Sequence, residues 1–540
     1  MISLSEQDGD VRTAVSLIAS EIEALLSGKK GLSQREIFEV KLRYCRLLRL
    51  SRVPSNSAIL NAINPEKRML IEPLLRRKRA RTRSGISVIT VMTKPFECPH
   101  GTCIFCPGGV RLGTPQSYTK NSPAASFGAS RGFDPKRQIE DQLEILRRNG
   151  HDTSKVELII LGGTVLAMPC DYQEDFVRKS YEALNCSASE SLFDAIKSNE
   201  RASHRCVGFT IETKPDWCRE EHIDRLLSYA ATRVEIGVQS LQDDVLKFTN
   251  RGHNLQDTIK AFRVAKDSGF KIVAHMMPGL PLSDQEKDLS DLLRLIEDPE
   301  LRPDMLKIYP TLVIEGTALH RMMKMGKYSP YNLETTIDLL CKFKRHVPEW
   351  IRIMRIQREI PKDEISRGPS SGNLRQLVLL EMRRRGERCR CIRCREVGHL
   401  SENDQIDYDN LRTKRIDYES SGGREVFISK EDPRTDTLLG FLRLRIPSGN
   451  EHRPEIRGKM ASIVRELHVY GPVVPLGERG RSVTQSQHRG LGTELLAEAE
   501  RISREEFHIR KQLVISASGT KEYYRKRGYS DDGAYVSKLL

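Results

Sequence analysis

The sequence predicts an α/β protein. Its centre is a parallel sheet of strand–helix repeats, curled into a partial TIM-like (β/α)6 barrel. A helical arm precedes the barrel and a smaller α/β domain follows it. Three observations predict this. Between residues 86 and 365, short β-branched runs alternate with amphipathic helical stretches, the pattern of parallel strands joined by crossover helices. Before residue 86 apolar residues recur only at helical spacing. After residue 409 the pattern shifts to longer strands and one glycine-rich helix start. A chain of 540 residues exceeds one core, and these shifts divide it at 1–85, 86–365, 366–408 and 409–540.

Composition sets the broad class. Hydrophobic residues make up 38%, enough for packed cores, so a disordered chain is excluded. No run of about 18 apolar residues occurs, so no membrane span is expected. The opening residues Met1 to Asp8 carry no charged, apolar leader pattern, so a cytoplasmic protein is expected. The twelve cysteines then sit in a reducing compartment, where clustered ones hold metal more often than they pair. A net charge of +15 fits a polyanionic partner, nucleic acid ahead of membrane.

In the arm, helices are predicted over 11–27 and 34–50, where apolar residues such as Ile18, Ile22, Ile37 and Val40 share a face. Ser33 and Glu36 form a capping-box pattern, and a short helix is expected at 56–62. Six of the eight residues from Arg76 to Arg83 are then basic: Arg76, Arg77, Lys78, Arg79, Arg81 and Arg83. Such density repels itself unless phosphates neutralise it, which reads as a nucleic-acid contact. A solvated charged linker is the plainer alternative. Few aromatics interleave, so phosphate contact is better supported than base stacking.

The barrel region opens with a strand at 86–92 and then a loop carrying Cys98, Cys103 and Cys106 in C-x4-C-x2-C order. Three thiolates on one loop suit three irons of a [4Fe–4S] cluster, and equally, on their own, a zinc knuckle. Strands follow at 156–161, 206–211, 233–238, 270–275 and 305–309, with helices at 134–149, 172–184, 220–230, 255–268 and 283–296 between them. Polar residues recur at the C-terminal end of each strand: Gly162-Gly163-Thr164, Glu212, Gln239, His275 and Lys307. That is the end where barrel folds carry their chemistry. One such residue alone, His275 for instance, is more often a satisfied core histidine; the set together lines a cavity.

Residues 367–373 read as a loop and 374–385 as a helix. Cys389, Cys391 and Cys394 then place three thiols within six residues, which suggests structural zinc. Cys341 is the first candidate for the fourth ligand and His399 the second; free thiols are the alternative. In the last domain strands are expected at 440–446, 462–470 and 512–516. Between the last two, Gln487-His488-Arg489-Gly490-Leu491-Gly492 opens a helix, and its exposed N–H groups suit a pyrophosphate. A polar loop at 477–486 precedes it, and Tyr523-Tyr524-Arg525-Lys526 follow the last of these strands.

The cysteine loop, the Gly-Gly pair and the polar strand ends resemble a radical S-adenosylmethionine enzyme, with one residue added to that superfamily's usual C-x3-C-x2-C. The order from strand 462–470 to the two tyrosines resembles the GNAT acetyltransferase fold. Cys98-Pro99-His100-Gly101, Cys103-Ile104-Phe105-Cys106-Pro107, Glu212-Thr213-Lys214-Pro215-Asp216, His275-Met276-Met277-Pro278 and Arg465-Glu466-Leu467-His468-Val469 together resemble the elongator catalytic subunit, of the single-subunit archaeal or bacterial type. The resemblance implies that Cys98, Cys103 and Cys106 hold the [4Fe–4S] cluster. It implies that Lys94, Gly162, Gly163, Thr164, Glu212, Gln239 and His275 line the S-adenosylmethionine site, with Lys307 catalytic. Glu466, Leu467, His468, Val469, Gln487, His488, Arg489, Gly490, Leu491, Gly492 and Tyr523 would hold acetyl-CoA. One of Tyr523 and Tyr524 would meet the thioester sulfur while the other packs under the sheet; spacing does not choose between them.

The implied activity is a tRNA carboxymethyluridine synthase. A 5′-deoxyadenosyl radical takes a hydrogen from the acetyl methyl of acetyl-CoA, the acetyl carbon joins C5 of the wobble uridine at position 34, and thioester hydrolysis leaves a carboxymethyl group. The expected partners are a tRNA anticodon stem-loop, whose base leaves its stack, and an electron donor; a homodimer is compatible with the sequence. A protein lysine acetyltransferase with a structural iron–sulfur domain is the rival from another class, and a non-catalytic RNA scaffold is a third.

Overall fold

A computed structural model describes residues 4–28, 32–50, 53–75, 84–399, 406–471 and 490–540. The chain forms two compact units: Met1–Thr82 with Asp141–Thr153, and Arg83–Glu140 with Ser154–Leu540.

The first unit carries helices Leu4–Gly28, Gln34–Leu47, Asn56–Ala62 and Pro65–Leu75. Ser33 caps the second as expected: its Oγ accepts from the Glu36 N–H, and Glu36 accepts from the Ser33 N–H at 2.8 Å. Ile18, Ile22, Ile37, Val40, Ile59, Leu60 and Ile71 pack as its core. The fourth helix was not expected. It starts on Pro65, which suits a first helical turn because that position has no N–H to lose. The basic run Arg76, Arg77, Lys78, Arg79, Arg81 and Arg83 lies outside the described residues.

In the second unit, the first sheet contains β1 (Ser87–Met92), β2 (Lys155–Leu161), β3 (Arg205–Thr213), β4 (Arg233–Gln239), β5 (Lys271–Met276), β6 (Met305–Ile308) and β8 (Arg352–Ile356). They lie in that order and all run parallel. A two-stranded ribbon of β7 (Val313–Ile314) and β9 (Ile365–Arg367) adjoins it in sequence. The sheet therefore has seven strands where six were expected. The added strand β8 reads Arg-Ile-Met-Arg-Ile, so it lacks the continuous apolar run that marks a strand buried on both faces.

The second sheet is mixed. It contains β10 (Arg412–Ser420), β11 (Gly423–Asp432), β12 (Thr437–Ile446), β13 (Ala461–Val469), β14 (Lys511–Val514), β15 (Ser530–Asp532) and β16 (Tyr535–Leu539), in the order β10-β11-β12-β13-β14-β16-β15. Helix Leu491–Arg501 packs Leu495, Leu496 and Ala499 against Val426, Leu442 and Val464 of its face. β13 and β14 pair only from Ala461 to Val464 and from Lys511 to Val514. Beyond that point the two strands splay.

The second sheet closes the N-terminal end of the first. Arg465 on β13 donates to the Phe270 carbonyl at 2.7 Å and to both Asp304 oxygens, and pairs with Glu425 at 3.0 Å. Arg445 on β12 pairs with Asp267 at 2.6 Å and Glu425 at 2.9 Å. Arg443, Arg445, Arg465, Asp304 and Glu425 are all essentially inaccessible to solvent. A charge that far from water must be paired, and here each guanidinium has at least one carboxylate.

Candidate active site

At the C-terminal end of the parallel strands, Cys98, Cys103 and Cys106 face one small cavity with Gly163, Thr164, Glu212, Gln239, Arg251 and His275. The loop is held through its sulfurs. The Ser117 N–H donates to Cys106 Sγ at 2.9 Å, Arg251 Nη1 donates to Cys103 Sγ at 3.4 Å, and His100 Nε2 lies 3.3 Å from the same sulfur. Thr164 Oγ1 lies 3.6 Å from Cys98 Sγ. Burial first, then Lys214 and Arg251, pushes His100 down to about 3, so its ring is neutral. These three sulfurs are not gathered as tightly as the ligands of a single ion. A cluster that takes one thiolate per iron needs that wider spacing, so the donor set fits [4Fe–4S].

A neighbouring cavity of about 100 Å³ is lined by Tyr118, Glu212, Glu235, Gln239, His275, Lys307, Tyr309, Arg355 and Arg358. Glu212 Oε2 accepts from Tyr118 Oη at 3.1 Å and from the Gly162 and Gly163 N–H groups at 3.3 and 3.2 Å, which ties the glycine turn to β3. Glycine is required at 162 because a Cβ there would sit 2.0 Å from Thr93 Oγ1. Glu235, fully buried on β4, binds His275 Nε2 at 3.0 Å and pairs with Lys307. Burial pushes the Glu235 carboxyl up, but Lys307, His275 and Arg233 outweigh it and hold it well below the usual range. Glu235 and Lys307 are therefore a charged pair. Gln239 ends β4 with φ +74° and a buried Oε1 that has no hydrogen-bond partner among the described residues. Strain of that kind in a non-glycine residue persists where the surroundings fix it, commonly at functional sites.

A larger cavity, about 470 Å³, lies at the other end of the barrel, where β13 and β14 splay. Its walls include Glu466, Leu467, His468 and Val469 from β13, Ile515 and Ala517 beyond β14, and Gly490, Leu491 and Gly492 at the helix start. Its floor is Glu157, Thr210, Arg233 and Lys271 from the barrel strands. Gly490 sits at φ +91°, and a Cβ at Gly492 would come 2.9 Å from Tyr523 Oη. That hydroxyl is buried without a hydrogen-bond partner among the described residues. Tyr524 also lines the cavity and packs in the apolar core with Leu495 and Tyr529. Bare N–H groups at a helix start, an open strand pair and a free hydroxyl fit a thioester carried on a pyrophosphate.

Most expected residues thus fall at one of these cavities. Lys94 does not; its ammonium lies over the rings of Tyr172 and Phe96, at 4.5 and 5.1 Å. Gln487, His488 and Arg489 lie outside the described residues. Cys389, Cys391 and Cys394 come together with all sulfurs within 4.8 Å. Neither expected fourth ligand joins them. Cys341 Sγ bonds the Val378 carbonyl at 3.6 Å, and His399 pairs with Glu396 at 3.0 Å, so both expectations are corrected. Glu235, Tyr118, Arg251 and Lys271 were missed by sequence reasoning. For Glu235 a signal existed: Arg233, Glu235, Gly237 and Gln239 share one face of a strand otherwise valine and isoleucine, an unusual load for a buried strand.

Comparison with known proteins agrees with this geometry. Family models match as the ELP3 N-terminal domain over residues 12–83, the Radical SAM superfamily over 95–293 and the Radical_SAM C-terminal domain over 303–384. A protein of Methanocaldococcus jannaschii called tRNA uridine(34) acetyltransferase is 46% identical, over 95% of either chain. Human Elongator complex protein 3 is 42% identical, over 97% of this chain and 96% of its own. The solved Elp3 of Methanocaldococcus infernus, lacking its N-terminus, has a TM-score of 0.75 and 43% identity, covering 85% of this chain and 100% of that one. With its sequence matched from end to end and its barrel matched by a radical S-adenosylmethionine model, the chain belongs to the Elp3 family.

Proposed function

We propose that the chain modifies the wobble uridine of tRNA at C5, joining the acetyl carbon of acetyl-CoA to the base and leaving a carboxymethyl group. The observation that carries this is the pair of cavities at opposite ends of one barrel, a three-cysteine loop at one and a splayed strand pair at the other. The names of the archaeal relatives, which act on tRNA uridine 34, support the substrate.

A [4Fe–4S] cluster held by Cys98, Cys103 and Cys106, with S-adenosylmethionine, would supply hydrogen-atom abstraction by a 5′-deoxyadenosyl radical. The protein's own groups then have separable tasks. Glu212 holds the Gly162–Gly163 turn open to the ligand. Arg251 and the Ser117 N–H stabilise thiolate charge at the loop. The Glu235–Lys307 pair, fixed by His275, keeps a cation facing the chamber where an anionic or carbonyl oxygen would sit. At the basal cavity the Tyr523 hydroxyl is placed to protonate the departing CoA sulfur, and Tyr524 supports it from the core.

The three gathered thiols of Cys389, Cys391 and Cys394 suit one zinc ion, with a fourth ligand other than Cys341 or His399. The arm up to residue 85, with its basic run, would take the tRNA backbone. An electron donor must feed the cluster.

The test is anaerobic: reconstituted protein, dithionite, S-adenosylmethionine, acetyl-CoA and bulk tRNA, followed by nucleoside mass spectrometry. Carboxymethyluridine should form and vanish with Cys103→Ala. If no new nucleoside appears and acetyl label collects on a basic peptide substrate instead, the reading is wrong and a protein acetyltransferase takes its place.

A further inference from the structure

The basal cavity contains an amine of the protein itself. Lys271 opens β5 and forms part of the cavity floor, where its Nζ donates to the Arg465 carbonyl at 3.3 Å. Glu466 of β13 stands close enough for the two charges to act on each other, and its carboxylate accepts from Arg443 Nε at 2.8 Å. Tyr523, with its unpartnered hydroxyl, lines the same cavity.

The splayed strands that would deliver a thioester therefore open onto a lysine rather than onto solvent alone. In folds that acetylate amines the acceptor belongs to a second molecule. Here the barrel presents an amine of its own β5 to the same cavity.

We propose that Lys271 is a self-acetylation site: with acetyl-CoA in the basal cavity, the Lys271 amine takes the acetyl group. This rests on reading that cavity as the acetyl-CoA site. The Lys271 ammonium loses a proton to solvent, and the freed nitrogen forms a bond to the thioester carbonyl carbon. The nitrogen's second proton leaves to solvent as the tetrahedral carbon collapses. The carbon–sulfur bond breaks, and the sulfur takes a proton from Tyr523. The products are Nε-acetyl-Lys271 and CoA, with Tyr523 restored by proton exchange with water.

The local charges suit this chemistry. Burial pushes the Lys271 ammonium down to about 8, with Arg233 and Arg465 pushing the same way and Glu466 and Asp304 opposing. That lowering enlarges the neutral, nucleophilic fraction of the amine over that of a solvated lysine.

The full chain is incubated with trideuterioacetyl-CoA, without RNA or S-adenosylmethionine, and its peptides are mapped by mass spectrometry. Lys271 should carry label at least roughly tenfold above the average surface lysine, because its amine lies in the cavity that would hold the thioester. Desulfo-CoA should suppress the label at Lys271 and leave the surface background. Lys271→Arg should remove it. Equilibrium dialysis separates the failures. If acetyl-CoA binds in competition with desulfo-CoA and Lys271 stays unlabelled, self-acetylation is overturned and the cavity's reading stands. If no competitive binding occurs, both are overturned.

Discussion

Arg251 and Glu235 show how single charges shape the site. Arg251 donates to Cys103 Sγ and, through its other nitrogen, to the Gly237 carbonyl, so one guanidinium ties the cysteine loop to β4. A cluster with three thiolates gains negative charge on reduction, and a fixed cation beside it favours the reduced form. Arg251→Met should shift the cluster potential on the order of 100 mV more negative, from a unit charge lost a few ångströms away in a partly screened site. An EPR-monitored redox titration measures this, and an unchanged potential would show that Arg251 only braces the loop. Glu235 is the more demanding residue because it has no access to water. Lys307→Met would leave that carboxylate with only His275 and the more remote charge of Arg233, at a cost of about 3–5 kcal/mol. Urea unfolding should show the loss, and Glu235→Gln in the same chain should recover part of it.

Among the elements, the splay of β13 from β14 does most to define the basal cavity. The two strands pair for four residues and then part, so Leu467 to Val469 and Ile515 to Ala517 become facing walls instead of a ladder. Helix Leu491–Arg501 presents its first turn to the gap, and Gly492 is where that turn meets Tyr523. Gly492→Val brings a Cβ to 2.9 Å from the Tyr523 hydroxyl, closer than real Cβ contacts allow. Acetyl-CoA affinity should fall by at least about tenfold, the equivalent of 1.4 kcal/mol, in a calorimetric titration. Wild-type affinity in that variant would mean the ligand approaches from elsewhere. The arm offers a simpler case. Ser33→Ala removes one half of a complete capping box and should cost about 1 kcal/mol, read as a lower thermal midpoint.

At the scale of the molecule, the two sheets of the second unit are joined by buried ions rather than by grease alone. Asp304 lies among Arg465, Lys266 and Arg443; burial raises its carboxyl, and those cations together hold it far below the usual range. Glu396 does a similar job between the linker and β8. Burial pushes it up, but Arg352 and His399 bring it down to about 2. A carboxyl whose folded value is depressed adds stability above its unfolded value, and that stability is lost as pH falls through the folded one. Glu396 should therefore contribute about 3 kcal/mol above pH ~4.5, vanishing toward pH 2. In denaturation curves taken across that range, Glu396→Gln should flatten the acid limb; a parallel curve would show the pairing carries no net stability.

Much of this was legible from sequence because it depends on local order. The cysteine spacing, the Ser33–Glu36 cap, the glycine turn at 162 and 163 and the βα alternation are all short-range patterns, and the polar strand ends follow from a period of two. What sequence spacing could not decide were pairings between residues far apart in the chain. Glu235 meets Lys307 across 72 positions, Arg465 meets Asp304 across 161, and the fourth ligand expected at Cys341 turned instead to the Val378 carbonyl. Tyr523 and Tyr524 are neighbours in sequence and both line the basal cavity, yet only packing makes Tyr524 a member of the apolar core and leaves the Tyr523 hydroxyl without a partner among the described residues. The sequence by itself determined the chemistry each segment can carry, since side-chain type and spacing are local. Tertiary structure alone decided which buried charges are paired and which groups share a cavity, because burial makes an unpaired charge costly and only the whole fold brings its partner near.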